Sequence, residues 1–232
     1  MKLIELAFSS YIYSKMTDYD KALEEFTNAT DNKLDLKNEL HVTELLIWLN
    51  KWGCRQFAKN DYPLAINNIM DWYKQYENIF QSINSELSNS TDEELSNLFD
   101  AYKDLSSIKA SDRNYSNNKI VEVTIGPTGA AKILYALKPY LCVPWDEYIR
   151  KWFIDHESKS NYLQFLYHAK NELIELQKDC SRLNIKLGHV PQIINREKST
   201  LTKLVDEYFW ITITKNCSTP SLSLFNKWIL WS

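Results

Sequence analysis

Turn-forming residues and long apolar runs are both scarce in this chain of 232 residues. It has 4 Gly and 6 Pro beside 8 Trp, 14 Tyr and 9 Phe. Few turn formers and many bulky side chains favour long helices over a β-sandwich or barrel, which needs frequent turns. No stretch approaches the roughly 20 apolar residues that a membrane-spanning helix requires. We therefore expect an all-α protein with little or no sheet and no membrane as a partner.

Signals for secretion and for a structural metal site are also missing. The first residues, MKLIELAFSS, have no proper apolar core and no small-residue cleavage site, so no signal peptide is expected. The four cysteines form no CxxC pair and have no zinc-ligand spacing. We expect a cytoplasmic location, reduced thiols and no metal.

Charge is uneven along the chain, although its net value is only -3. Residues 1–110 contain 11 Lys and Arg against 18 Asp and Glu, whereas residues 111–232 contain 16 against 12. A nucleic-acid-binding protein that relies on bulk charge is more basic than this. An anionic partner would therefore have to be held by local geometry.

Hydrophobic periodicity predicts a series of helices joined by short connections. Thr91 begins one of them with a capping-box sequence, and Gly53 is expected to end another. Residues 105–119 are polar and rich in Ser and Asn, which predicts a linker or exposed loop. The other long helical patterns lie at residues 41–57, from 62 onward, at 158–184 and at 198–214. We assign residues 1–232 to a single two-lobed helical domain.

A Gly-Pro-Thr-Gly turn at residues 126–129 precedes a short apolar helix. Apolar residues from Ala130 to Leu137 recur at helical spacing, and Pro139 ends the helix. The free N–H groups at the start of such a helix, together with the helix dipole, favour an anion. A DNA phosphate could bind there without Lys or Arg, although a plain connection between two helices has the same pattern.

Residues 125–150 resemble the helix-hairpin-helix DNA glycosylases, the superfamily of endonuclease III and the oxoguanine glycosylases. The family signature is a Leu-Pro-Gly-x-Gly hairpin, a helix with an Ala and apolar residues, and a Val-(Pro/Ala)-Val-Asp segment before another helix. Gly126 stands at the second hairpin glycine and Ala130 at the helix alanine. Residues 143–146, which read VPWD, stand at the aspartate segment without a gap.

This resemblance implies a two-lobed helical fold with a helix-hairpin-helix motif and a DNA glycosylase that removes a damaged or modified base. Asp146 would be the catalytic residue, since a carboxylate stabilises positive charge on the sugar and orients the attacking water. Double-stranded DNA would be the partner, with no obligate protein partner. The target base stays open, as do repair and defence against modified phage DNA. No cofactor is implied, with a monovalent cation at the hairpin carbonyls as the alternative.

Departures from the family pattern bear on the chemistry. Thr124 stands at the first hairpin glycine, and the hairpin proline and the cysteine cluster of the endonuclease III branch are absent. Thr128 stands where lyase-competent members have a lysine, and Lys132, one turn later, is expected to point to a different side. A monofunctional glycosylase without lyase activity is therefore expected.

Further residues are candidates for contacts with DNA and with the flipped base. Candidates for the DNA backbone are Gly126, Pro127, Thr128, Gly129, Ala130, Lys132 and Arg150. Candidates for the base are Trp48, Trp52, Arg55 and Trp145, and Gln56 is a candidate wedge. Plainer interpretations exist for all of them: core packing for the tryptophans, solvated charge for the basic residues, and for Asp146 a helix N-cap worth about 1 kcal/mol.

Two other functions remain open on the sequence alone. A DNA-binding module that kept the hairpin and lost the chemistry would fit Thr124 and the acidic first half of the chain. A helical scaffold for protein interaction would fit the abundant aromatic side chains.

Overall fold

The computed structural model describes residues 1–114, 120–156 and 161–221, together with residues 223, 224 and 227. Helices dominate these ranges, so the predicted all-α class is confirmed. The α-helices are α1 (Leu3–Met16), α2 (Tyr19–Ala29), α3 (Glu39–Lys51), α4 (Tyr62–Ser82), α5 (Asp92–Ser107), α6 (Gly126–Leu137), α7 (Glu147–His156), α8 (Tyr162–Arg182), α9 (Val190–Ile193) and α10 (Leu201–Phe209). Short 3-10 turns lie at Lys59–Asp61, Leu87–Asn89 and Leu187–His189, and a π-helical turn at Trp210–Thr214 extends α10.

A two-stranded antiparallel sheet interrupts the helices. Strand β1 (Lys109–Asn114) pairs with strand β2 (Ile120–Thr124). The predicted linker at residues 105–119 is therefore wrong where the structure describes it, because α5 and β1 occupy residues 105–114; residues 115–119 lie outside the described residues. The β-branched residues of β2 favour a strand. The polar composition of β1 does not, which is why this strand pair was not predicted.

Helix α6 lies at the centre of the core. Every side chain or glycine from Gly129 to Tyr135 is buried, as expected for a helix enclosed on all sides. It packs chiefly against α5 and also against α3. The core around it is one continuous cluster that draws on α1, α3, α4, α5, α8 and α10. The glycine turn at its start is therefore fixed to a helix that the core encloses.

Several helix ends lie where local sequence signals predict them. Thr91 caps α5: its hydroxyl accepts from the Glu94 N–H at 3.1 Å, and the Glu94 carboxylate accepts from the Thr91 N–H at 2.7 Å. Helix α3 ends before Gly53, whose φ of 84° suits glycine. Helix α6 ends before Pro139. No helix in the described ranges combines the length and apolar content needed to cross a bilayer.

We expect Thr91→Ala to lower the free energy of unfolding by about 1 kcal/mol, because it removes the cap of α5. Urea denaturation followed by circular dichroism measures the change. Thr91→Ser keeps the acceptor and is the control, so equal stability of the alanine and serine variants would contradict the expectation.

Candidate active-site cavity

The glycine turn joins β2 directly to α6, whereas the family hairpin joins two helices. Gly126 has a φ of 69°, a conformation that glycine adopts without strain. The Ile125 N–H donates to the Ile108 carbonyl at 2.8 Å, and the Gln56 amide donates to the Ile125 carbonyl at 2.6 Å. Gln56 thus holds the turn through its side chain, which argues against the wedge role for which it was a candidate.

The predicted phosphate-contacting residues of the turn divide by exposure. Pro127 is exposed, and Gly126 and Thr128 are half-buried. Gly129 and Ala130 are buried, so their part is packing. A Cβ on Gly129 would overlap the Gln56 side-chain nitrogen, so alanine there would require the Gln56 amide to move.

Asp146 forms the N-terminal cap of α7. One of its carboxylate oxygens accepts from the Ile149 N–H at 2.7 Å, and the other accepts from the Thr214 hydroxyl at 2.8 Å. The side chain is half-buried, and it lines a cavity of about 420 Å³ that we call the Asp146 cavity. The two roles considered for this residue, helix cap and presentation to a cleft, are thus compatible.

The Asp146 cavity collects residues from distant parts of the chain. Six come from residues 125–150, the segment that resembles the glycosylases: Thr128, Lys132, Trp145, Asp146, Glu147 and Tyr148. The segment after α3 adds Trp52, Gly53, Cys54, Arg55 and Gln56, and the remaining lining residues are Tyr13, Tyr19, Asp206 and Trp210. The glycine turn, through Thr128, and the Asp146 carboxylate therefore border the same space.

Trp145 links the turn to Asp146. Its ring nitrogen donates to the Pro127 carbonyl at 3.2 Å. Its ring packs against Tyr162 and Phe165, with centroids 5.2 and 5.1 Å away, and only 3% of the residue is exposed. Trp145 thus borders the cavity from the core and holds the spacing between turn and carboxylate, so little of its face is free to stack on a base.

The two tryptophans of α3 have different positions. Trp52 lines the cavity, whereas Trp48 lies behind it, with ring centroids 4.6 Å apart. Trp48 stacks on Phe26 at 5.0 Å and is 1% exposed. The prediction of Trp48 as a pocket wall is therefore corrected: it is a core residue that supports Trp52.

Lys132 points into the Asp146 cavity, contrary to the expectation that it faces a different side. Residues four apart on a helix share a face, and Thr128 and Lys132 accordingly line the same space. The Lys132 ammonium donates to the Trp52 carbonyl at 2.6 Å and lies 4.7 Å from the centre of the Trp52 ring. It is 7% exposed, which is a poor position for a contact with the DNA backbone.

The other basic candidates lie at different distances from the cavity. Arg55 is exposed at its rim, beside the exposed Tyr148. Arg150 is half-buried and outside the lining, and its guanidinium opposes the rise that burial causes in the pKa of Tyr102. Arg55 is therefore better placed than Arg150 to reach a strand that crosses the cavity mouth.

A buried group of charged residues on α10 was missed by sequence reasoning. Asp206 lines the cavity, and the Lys203 ammonium donates to it at 3.0 Å. Burial raises the pKa of Asp206. The Lys203 ammonium opposes that rise, and the Asp146 carboxylate adds to it. In the sequence these residues have the spacing of a solvated salt-bridge face, so no local signal reveals their burial.

Cys54 is also in the cavity lining, with its thiol beside Lys132. Burial raises the pKa of Cys54, and the Lys132 ammonium opposes that rise. Within the described part of the chain, no group of three or more His, Cys, Asp or Glu could hold a metal ion.

We expect a partial rescue between Gly129 and Gln56. Gly129→Ala alone should lower the free energy of unfolding by about 1–3 kcal/mol, because the new Cβ overlaps the Gln56 amide. Gln56→Ala alone should cost about 1 kcal/mol through loss of its hydrogen bond. The double variant should lose less than the sum, as measured by a denaturation cycle. Additive losses would show that the two residues do not compete for space.

Comparisons with family models, curated proteins and solved structures found no match to this chain.

Proposed function

We propose that this chain is a DNA glycosylase that hydrolyses the bond between a damaged or modified base and its deoxyribose in double-stranded DNA. The observation that carries the proposal is the shared cavity. Thr128 of the glycine turn and the carboxylate of Asp146 border one space, and the bond from Trp145 to Pro127 ties the two elements together. A phosphate grip and a carboxylate would thus act on the same nucleotide.

The size and lining of the cavity suit a single extruded base. Its volume of about 420 Å³ lies within the range of small-molecule pockets, roughly 300–1,000 Å³. The half-buried rings of Tyr19 and Trp210 provide faces on which a base can stack, whereas Trp52, which is 6% exposed, closes the wall behind them. A base must leave the duplex to be cut by such an enzyme, and this aromatic space is where it would be held.

Asp146 supplies the central chemistry of the proposed reaction. As the bond to the base breaks, positive charge develops on the sugar, and a fixed carboxylate nearby stabilises it. The same carboxylate can orient a water molecule for attack on the sugar carbon. The hydrogen bonds from Ile149 and Thr214 hold its orientation before substrate arrives.

The glycine turn would grip the DNA backbone. A phosphate at the start of α6 would meet free N–H groups and the positive end of the helix dipole, which requires no basic side chain. This property belongs to a helix N-terminus whether a strand or a helix precedes it. It therefore survives the replacement of the first hairpin helix by β2.

The proposed enzyme is monofunctional. Thr128 replaces the lysine of lyase-competent relatives in the resemblance. Lys132 does share the cavity with Asp146, but its ammonium is engaged with the Trp52 carbonyl and ring. Reduction with borohydride during turnover would trap a covalent enzyme–DNA product if Lys132 acted as a lyase nucleophile.

A non-catalytic DNA-binding module is the second candidate. The observation that favours it is that both Asp146 oxygens already accept hydrogen bonds from the protein, as a purely structural cap would. The two candidates differ in whether any base is released.

We expect Asp146→Asn to slow base release by about 100-fold or more, because it removes the charge that stabilises the sugar cation. Asparagine is as good an N-cap as aspartate, so the fold should be kept. Mass spectrometry of free bases, after incubation with duplexes of varied modification, measures the rate. DNA binding without release of any base by the wild-type chain would support the non-catalytic module instead.

We expect Arg55→Gln to weaken DNA binding and to reduce the slope of log affinity against log salt by about 0.9, the value for one phosphate contact. Fluorescence anisotropy at several salt concentrations measures this slope. Lys74→Gln on α4, also an exposed cation but outside the cavity lining, is the matched control. Equal slopes for wild type and the Arg55 variant would place DNA away from this rim.

A further inference from the structure

A second carboxylate enters the Asp146 cavity from α10, and the reaction described above does not use it. Asp206 is among the lining residues and is 6% exposed. One of its oxygens accepts from the Lys203 ammonium at 3.0 Å. A buried carboxylate in a cavity that would hold a base is in a position to contact that base.

The groups around Asp206 come from four parts of the fold. Lys203, on the same helix, is 1% exposed and lies 4.0 Å from the centre of the Tyr13 ring on α1. Lys132 of α6 also acts electrostatically on Asp206 and opposes the rise in its pKa, whereas the Asp146 carboxylate adds to that rise. These charges, together with burial, influence the protonation of Asp206.

Lys203 is shared between two carboxylates. Its ammonium lies 3.0 Å from Asp206 and 3.4 Å from Glu207. Glu207 also binds Arg196 and accepts from the Ser10 hydroxyl at 2.6 Å, and it lies outside the cavity lining. Asp206 is therefore the member of this buried cluster that is open to a ligand.

Release of a neutral base requires a proton as well as a stabilised sugar. The electron pair of the broken bond moves onto the base nitrogen, and a proton donor placed there lowers the barrier. Asp146 is poorly suited to donate, since both of its oxygens accept hydrogen bonds. A second carboxyl group on another wall of the cavity can divide the work with it.

We propose that Asp206 is the proton donor to the departing base, a role that rests on the function proposed above. The bond between the sugar carbon and the base breaks, and its electron pair takes the Asp206 proton. Water adds to the sugar carbon, and its surplus proton passes to Asp146 and then to solvent. Asp206 regains a proton from solvent. The balance is one water consumed, with one free base and one abasic sugar formed.

The surroundings of Asp206 suit a proton donor. Burial raises the pKa of Asp206, Lys203 and Lys132 oppose the rise, and Asp146 adds to it. A base that fills the cavity displaces water and so disfavours the charged form further. After the transfer, the Lys203 ammonium stabilises the carboxylate that is left.

The test compares pH–rate profiles of single-turnover base release. The probes are duplexes that carry hypoxanthine or 8-oxoguanine, which leave as neutral bases only if protonated, and 7-methylguanine, which is cationic and leaves without a proton. For the duplexes that carry hypoxanthine or 8-oxoguanine, the wild-type rate of base release should fall as the pH rises through the Asp206 pKa. In Asp206→Asn this decrease with pH should be absent, and release of hypoxanthine and 8-oxoguanine should be about 10²–10⁴-fold slower than in the wild type. The same variant should release 7-methylguanine at nearly the wild-type rate.

Two further variants separate this role from a structural one. Lys203→Met should move the fall to higher pH, because Lys203 opposes the rise in the Asp206 pKa. Glu207→Gln leaves Lys203 to pair with Asp206 alone, so it should move the fall to lower pH and leave the release of 7-methylguanine unchanged. If circular dichroism shows that Asp206→Asn does not fold, the test is the pH shift in Lys203→Met. If that variant shows no shift, the proposal is overturned.

The remaining outcomes are also decisive. Equal slowing of all probes in Asp206→Asn, a fall that persists in that variant, or wild-type release confined to 7-methylguanine would overturn the proton-donor role and leave the glycosylase standing. Failure of the wild-type chain to release a base from any duplex would overturn the glycosylase itself.

Discussion

The geometry of the candidate site depends on one hydrogen bond between an indole and a backbone carbonyl. Trp145 donates to Pro127 and so connects the segment that carries Asp146 to the turn that begins α6. Because the Trp145 ring is packed among Tyr162 and Phe165, this connection is as rigid as the core. Trp145, which the sequence predicts as a candidate for contact with the base, instead keeps the turn and the Asp146 segment at a constant separation.

Buried charge is the second constraint on the structure, because taking ionised side chains out of water costs free energy. Lys132, Lys203, Asp206 and Glu207 are all buried, which is expensive unless each charge has a partner. The partners are present: a carbonyl and a ring for Lys132, two carboxylates for Lys203, and Arg196 for Glu207. Well-packed apolar residues would stabilise such a core equally well or better. The position of these charges beside a cavity therefore fits a functional role.

How much the sequence predicts depends on whether the signal is local. The cap at Thr91, the helix end at Gly53 and the stop at Pro139 follow from neighbouring residues, and the structure confirms them. The strand pair was missed because β1 is polar and pairs with a segment further along the chain. The all-α class follows from composition. In the site, the direction of Lys132 follows from helical spacing, but the burial of Asp206 depends on packing between distant helices, which no local pattern encodes.

The strand before the turn changes how the turn is positioned. In a helical hairpin, a one-residue change in the first helix rotates the following turn by about 100° of helical twist. In β2, the same change would move Ile125 and Gly126 to the opposite face of the sheet, because side chains alternate along a strand. The register of the β1–β2 pairing, with its irregularity between Lys109 and Ser111, therefore determines the direction in which the glycine turn faces. This chain should therefore tolerate an insertion of two residues in β2 more readily than an insertion of one.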